Sequence, residues 1–323
     1  MTDVRLIQSN APAAHRRAIG FCSDTRYLPF AAFAASQIAA LHPERSFDIF
    51  IVSNEALPEI PVLARHGIRL LQVDMGTRFA GLRLDARRTE AVYLRLALPA
   101  LLAETYDRIL YLDSDIYCAR DGISTLLDAD MLGSAVAAVR DNIQWRTPGR
   151  QPEQYRRFGW PSGPYFNSGV TMIDTEAFGQ QDLEARCIAF GQEHKDRLVG
   201  HDQTLLNCVL RGAWAEMSPR WNWQFTWASS LFALTEDARI LHFIGPKKPW
   251  QTHDGVFPGF ITRAFRDFLA THFPDRCPEP TAQTPLQDRS KMMKSMGKHM
   301  LSCHKMAAYL ARFPDDMVLQ TPG

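Results

Sequence analysis

Short apolar runs alternate along the chain with longer stretches whose apolar residues recur at helical spacing. Residues 18–23 (AIGFCS) read as a buried strand that stops at Asp24. Residues 28–41 are Ala-rich and periodic, which predicts a helix. Strands follow at 46–53 (SFDIFIVS) and 68–73, with a short helix at 61–66 between them. This strand–helix–strand alternation predicts an α/β fold with a parallel, doubly wound sheet. Residues 90–104 (EAVYLRLALPALLAE) read as a further helix, bent or reset at Pro99. Residues 108–112 form the next strand, with Asp113, Ser114 and Asp115 at its C-terminal end.

Residues 135–139 predict another strand, followed by Asp141. Residues 145–164 are rich in Pro, Gly, Arg and aromatics and read as a loop. Residues 166–173 are strand-like around Asn167, Ser168 and Gly169. Residues 183–194 and 202–211 are helical. A last strand at 239–244 runs into Gly245-Pro246-Lys247-Lys248-Pro249-Trp250. Trp221, Trp223, Phe225 and Trp227 alternate, so an extended segment would put them on one face. There they would either pack in the core or stack on a sugar.

The pattern changes after residue 250. Pro, Thr and Gln gather at 274–285, which reads as a linker, and 290–312 is rich in Met and Lys. The expected organisation is one large unit over 1–273, then a linker and small helical extension over 274–323. Met292, Met296 and Met300 recur every four residues and share a helical face beside Lys291, Lys294, Lys298 and Lys305. One reading is peripheral membrane contact through 290–312, an interfacial helix on an anionic surface. The other is a terminal helix packed on the main unit.

Composition narrows the functional classes. The 323 residues carry 36 Lys plus Arg against 35 Asp plus Glu, a net charge of +1, so nothing draws the chain globally to nucleic acid. An anionic ligand must be held by a local site. The six cysteines form no CxxC pair, which fits a reducing compartment better than a disulfide framework. Residues 1–17 lack the apolar core of a signal peptide, and no run of ~20 apolar residues is present. The expectation is a cytoplasmic protein, peripheral on the inner membrane face if the C-terminal segment binds lipid.

Asp113-Ser114-Asp115 is the sharpest chemical feature. Residues two apart on a strand project to one side, so both carboxylates can reach one hard cation. The open edge beyond the carboxyl ends of parallel strands is where such sheets bind ligands. Two turn-forming aspartates are the plainer reading of the motif alone. His242 taken alone reads as a hydrogen-bonded core histidine, but on a strand end it can add an imidazole nitrogen to the two carboxylates, which suits Mn²⁺ better than Mg²⁺. Lys248 can neutralise a phosphate, and the Gly245-Pro246 turn lets backbone approach a ligand closely.

FCSD at 21–24, YLRL at 93–96, YLDSD at 111–115, YFNSG at 165–169, HDQTLLN at 201–207 and HFIGPKKPW at 242–250 together resemble glycosyltransferase family 8. That family includes bacterial lipopolysaccharide galactosyl- and glucosyltransferases and the glycogenins. The resemblance spans roughly residues 18–250 and rests on six motifs in the family's order. It implies a GT-A fold, a Rossmann-like mixed, mostly parallel sheet flanked by helices. It also implies retaining transfer of a hexose, most readily from UDP-galactose or UDP-glucose, to a saccharide or glycolipid acceptor. Mn²⁺ is the implied ion, with Mg²⁺ as the other candidate. By resemblance Asp113, Asp115 and His242 are metal ligands. Asp24 and Tyr27 fall at the uracil site, and Arg95 and Lys248 at the diphosphate, with Ser114 and Gly245 in the same donor-binding set. Asp141, Asn167, Asp202 and Gln203 form the sugar-facing group.

Retention needs either a nucleophile beneath the sugar or attack from the leaving-group side. Gln203 is the matched residue there and a poor nucleophile, which favours front-face attack. Asp202 beside it keeps double displacement open. Two other functions also stay open: a phosphatase or phosphotransferase using the DxD pair, and a sugar-nucleotide-binding module without catalysis.

Overall fold

The computed structural model describes residues 3–85, 90–226, 236–251, 257–278 and 289–323. The strands are β1 (Arg5–Ser9), β2 (Arg17–Cys22), β3 (Asp48–Ser53), β4 (Arg69–Asp74), β5 (Arg108–Leu112), β6 (Ile116–Cys118), β7 (Val136–Arg140), β8 (Phe166–Asp174), β9 (Ala215–Glu216), β10 (Trp223–Gln224) and β11 (Ile240–His242). The α-helices are α1 (Leu28–Leu41), α2 (Pro61–Arg65), α3 (Leu94–Leu102), α4 (Ile123–Leu127), α5 (Glu153–Phe158), α6 (Thr175–Gln180), α7 (Leu183–Glu193), α8 (Asp202–Leu210), α9 (Gly259–His272) and α10 (Arg289–Leu310).

The main sheet has the order β1-β4-β3-β2-β5-β8-β7-β9. Its centre, β4-β3-β2-β5, is parallel. The β5–β8 and β8–β7 pairs are antiparallel, so the sheet is mixed and mostly parallel. β3 (DIFIVS) is buried at every position, as befits a strand covered on both faces. One apolar cluster joins α1, α2 and α9 to one face; a second joins α3, α7 and α8 to the other. The layered α/β architecture expected from the pattern is present.

The chain runs β2, β3, β4 in one direction across the sheet, then returns to place β5 on the other side of β2. The crevice at such a reversal, beyond the carboxyl ends of the strands, is the ligand position in open α/β sheets. Asp24 follows β2 and Asp113 follows β5, so both stand there. A second sheet, β10-β11-β6, packs beside the first. Its antiparallel register sets His242 opposite Ile116, next to Asp115 in sequence.

Three details differ from the sequence pattern. β1 (RLIQS) pairs antiparallel with β4, although its exposed, polar-rich sequence carries no strand signal. The expected loop at 145–164 contains α5, closed by Gly159 at φ 67°. Glu90–Tyr93 is 3₁₀ before α3 begins, and Pro99 lies inside α3.

The C-terminal segment returns to the sheet. Met306, Tyr309, Phe313 and Leu319 are buried, and Gln320 forms a bridge to Glu216 of β9. Met293, Met296, Met300 and Leu301 on α10 are exposed, while the Lys291 and Met292 side chains lie outside the description. Most of the expected linker also lies outside the described residues. No described helix is long and apolar enough to cross a membrane, and the six cysteines are free thiols.

Candidate active site

The site is assembled by strand register. The backbone N–H of Asp113, the first residue past β5, donates to the Gly169 carbonyl at 2.8 Å, which pins the carboxylate against β8. Phe243 N–H donates to the Asp115 carbonyl at 3.0 Å, so the end of β11 is tied to the same turn. His242 Nε2 then lies 3.2 Å from Asp115 Oδ1 and 3.7 Å from Asp113 Oδ2. One ligand atom from each of the three falls within 4.8 Å of the others. Two carboxylate oxygens and an imidazole nitrogen form a donor set for Mn²⁺ more than for Mg²⁺. The residues therefore fit a divalent cation.

Lys248 Nζ donates to Asp115 Oδ2 at 2.6 Å and to the Phe243 carbonyl at 2.5 Å. Burial alone would raise the Asp115 pKa. His242 and then Lys248 outweigh it and hold the carboxyl well below the ordinary carboxylate range. Asp115 is thus ionised and available to a cation.

Arg95, on the first turn of α3, is the second hub. Its Nη2 donates to Asp113 Oδ1 at 2.9 Å, and its Nε lies 2.9 Å from Asp202 Oδ2. Its Nη1 donates to the Ser168 carbonyl at 2.8 Å, and the guanidinium stacks 4.1 Å from the Tyr111 ring centroid. Burial works to lower its pKa, but Asp202, Tyr111 and Asp113 raise it above the ordinary value, so the cation is locked in place. Asp202 is 3% exposed and also accepts from Ser168 Oγ at 3.3 Å. Both contacts fall on Oδ2. Burial pushes the Cys22 thiol far up, which removes it as a nucleophile.

Gln203 is in the first turn of α8, whose N-terminus faces the cleft. Its Oε1 accepts from Ser168 N–H at 3.1 Å and from Asn167 Nδ2 at 3.3 Å. Asp141 is not among the cleft-lining residues; its carboxyl accepts from Ile143 N–H, and burial raises its pKa although Ile143 and the nearby Gln203 amide favour the charged form. At the other end of the cleft, Asp24 Oδ1 accepts from the N–H groups of Arg26 and Tyr27, and Oδ2 takes the Arg26 guanidinium at 2.8 and 3.0 Å. Asp24 caps the turn into α1, while Tyr27 is half exposed at the rim.

These walls enclose a cleft of about 680 Å³. Asp24, Tyr27, Arg95, Asp113, Ser114, Asp115, Asn167, Asp202, Gln203, His242, Gly245 and Lys248 all line it. The structure thus gathers every site residue expected from sequence, with Asp141 meeting the group through Gln203. Trp221, Trp223 and Phe225 are core residues rather than a sugar platform, and Trp227 lies outside the described residues. The sequence reading missed two partners. Asn222 bonds to His242 Nδ1 and to Asn167, each at 2.9 Å. Tyr111 OH donates to Asp113 Oδ1 at 2.8 Å. Asn222 is flanked by tryptophans, and the polar position between two core aromatics was the available signal.

Comparison with known proteins agrees with this geometry. The sequence model of Glycosyl transferase family 8 matches residues 18–254. General stress protein A of Bacillus subtilis (strain 168) is 29% identical over 255 residues, 72% of this chain and 86% of that protein. The lipopolysaccharide glucosyltransferase WaaO of Escherichia coli (strain K12) is 28% identical over 239 residues, 71% and 67% of the two chains. Among solved structures, the galactosyltransferase LgtC in complex with donor and acceptor sugar analogues shares the fold. Its TM-score is 0.66 at 24% identity, covering 85% of this chain and 99% of that one.

Proposed function

The chain belongs to glycosyltransferase family 8 and is a glycosyltransferase of GT-A fold; from this we propose that it transfers a hexose from a UDP-sugar, UDP-galactose or UDP-glucose, to a saccharide or glycolipid acceptor, using Mn²⁺ and retaining the anomeric configuration. The observation that carries this reading is the convergence of Asp113, Asp115 and His242 within 4.8 Å in the cleft at the sheet's reversal. The lipopolysaccharide glucosyltransferase among the relatives supports a bacterial glycan or glycolipid as acceptor.

Asp113, Asp115 and His242 would hold the ion, which supplies Lewis-acid charge to the departing diphosphate. Arg95 holds Asp113 in place and Lys248 holds Asp115 from the β11 side, and both add fixed positive charge beside the ion site. Fixed donors of this kind stabilise developing negative charge with little reorganisation. Gly245 and Ser114 line the same wall and bring backbone and hydroxyl to the diphosphate; Asp24 and Tyr27 line the uracil end.

Asn167, Gln203 and, behind them, Asp141 form the floor under the sugar. Asp202 is clamped by Arg95 and Ser168 and is almost wholly buried, and the Gln203 oxygen already accepts from Ser168 and Asn167. A buried, cation-paired Asp202 and a poorly nucleophilic Gln203 amide support front-face attack, with the leaving phosphate oxygen taking the acceptor's proton. The exposed Met293, Met296, Met300 and Leu301 beside Lys294, Lys298 and Lys305 support peripheral contact of α10 with an anionic membrane.

A UDP-release assay over a panel of UDP-sugars, with and without Mn²⁺, tests the proposal. Slow Mn²⁺-dependent hydrolysis of one donor supports it and names the sugar. No release and no UDP binding would send the reading back to a different donor chemistry.

A further inference from the structure

Residues 221–225 read WNWQF. Trp221, Trp223 and Phe225 pack into the core, yet Asn222 and Gln224 between them are also fully buried. A buried amide is stable only when its donors and acceptors are matched. The side chain of Gln224 bonds to Asn142 N–H at 2.9 Å and to the Arg140 carbonyl at 3.0 Å, on either side of Asp141. Asn222 stands between His242 and Asn167.

The orientation of these amides follows from one backbone group. Gly169 N–H can only donate, and its partner at 3.1 Å is the Asn167 side chain, so the Asn167 atom there is oxygen. The same oxygen is 2.9 Å from Asn222, and two oxygens at that distance would repel, so Asn222 presents its NH₂. The Asn222 oxygen therefore faces His242 Nδ1 at 2.9 Å, and Nδ1 must carry a proton. The other nitrogen, Nε2, faces Asp113 and Asp115, and it is the one an ion would take from them.

We infer that Asn222 is a positioning residue that fixes His242 with its proton on Nδ1 and Nε2 open to the ion, and that the same amide sets Asn167, so the ion site and the Asn167–Gln203 pair are held as one unit. Partners that orient a ligating imidazole in this way alter metal affinity about 10- to 100-fold when removed. The inference rests on the ion-site reading above and adds to it a residue that touches neither ion nor sugar.

The test is a titration with Mn²⁺ alone, following free Mn²⁺ by electron paramagnetic resonance, on wild type, Asn222→Ala and Asn222→Asp, with a thermal melt of each. Asn222→Ala should bind Mn²⁺ about 10- to 100-fold more weakly. Asn222→Asp still accepts from His242 Nδ1 but sets an oxygen against Asn167. It should bind Mn²⁺ as wild type does and lose donor hydrolysis at saturating Mn²⁺. A purely structural asparagine would lower the melting temperature in both and leave Mn²⁺ binding unmoved, and that result would overturn the inference. Imidazole ¹⁵N spectra of metal-free wild type, assigned with His242→Gln, decide the matter even if Asn222→Ala fails to fold. Nδ1–H is expected at His242, and a proton on Nε2 alone would overturn it. Failure of wild type to bind Mn²⁺ would overturn the ion-site reading itself, whereas equal binding by wild type and Asn222→Ala would overturn only this inference.

Discussion

Gly169 and His242 are packed so closely that a Cβ built on the glycine falls 2.1 Å from the imidazole Cε1, and 2.7 Å from Asp113 Oδ2. The missing side chain of β8 is thus the space that the candidate ion ligands occupy. Gly169→Ala should displace the imidazole and Asp113 together. Overpacking of this kind costs about 1–3 kcal/mol, so the variant should fold. Its Mn²⁺ binding, read by calorimetry, should fall at least tenfold. Unchanged Mn²⁺ affinity in a folded Gly169→Ala protein would contradict the placement of His242.

Arg95 is the only cation that the structure places between Asp113 and Asp202 among the described residues, 2.9 Å from each. Arg95→Met leaves the buried Asp202 carboxylate without its cation, and breaking a buried pair typically costs about 3–5 kcal/mol. Urea unfolding should show a loss of that order. Adding Asp202→Asn should return part of it, because the two sites share one interaction. If the double variant were no more stable than the single one, Asp202 would not depend on Arg95.

Asp141 gives a pH signature. Burial raises its folded-state pKa above the ordinary carboxylate value of about 3.9. A raised carboxyl favours the folded state while protonated, and that contribution is lost as pH rises from the unfolded value through the folded one. Asp141→Asn should therefore be more stable than wild type at pH 7, with the gain shrinking as pH falls toward about 4. Thermal melts of both proteins across that interval check the sign, and a gain that grew toward acid would contradict it.

The C-terminal segment is tied to the catalytic fold by charge as well as by apolar contact. Glu216 is fully buried and accepts from Tyr309 OH at 2.8 Å, from Arg312 at 2.8 Å and from Arg140 at 2.9 Å. Trp221 Nε1 donates to the Asp316 carbonyl at 2.7 Å. Deletion after Gln287 should therefore abolish soluble, folded protein rather than release a working enzyme. Tyr309→Phe leaves one bond to a buried carboxylate unmade and should cost about 1–3 kcal/mol. By contrast, Lys294→Glu, Lys298→Glu and Leu301→Ser combined should keep UDP-sugar turnover and weaken sedimentation with anionic vesicles. Normal turnover by the deleted chain would show the segment to be dispensable.

The elements legible from sequence were those with a strong period. α1 and β5 lie where the apolar pattern put them, because each buries a continuous or regularly spaced apolar face. β1 was not legible, because its exposed sequence acquires strand form only by pairing with β4. Asp113 and Asp115 stood out because the apolar run of β5 ends in them, whereas His242, set between Leu241 and Phe243, stood out only through the six motifs together. What joins them was not legible. Asn222 acts through space on His242, twenty residues away, and its neighbours drew attention as aromatics while the amide between them faced the site. Arg95 was expected at the diphosphate by resemblance alone, and its hold on Asp202 depends on how α3 and α8 meet, which no local pattern encodes.

The most direct test of the central claim is UDP binding by calorimetry with and without Mn²⁺, on wild type and Asp115→Asn. The account predicts that wild type binds UDP tightly only with Mn²⁺ present, and that Asp115→Asn, folded by circular dichroism, binds it weakly whether or not the ion is added. Equal UDP binding by both proteins irrespective of Mn²⁺, or none by wild type, would contradict the assignment of Asp113, Asp115 and His242 as the ion-held nucleotide site.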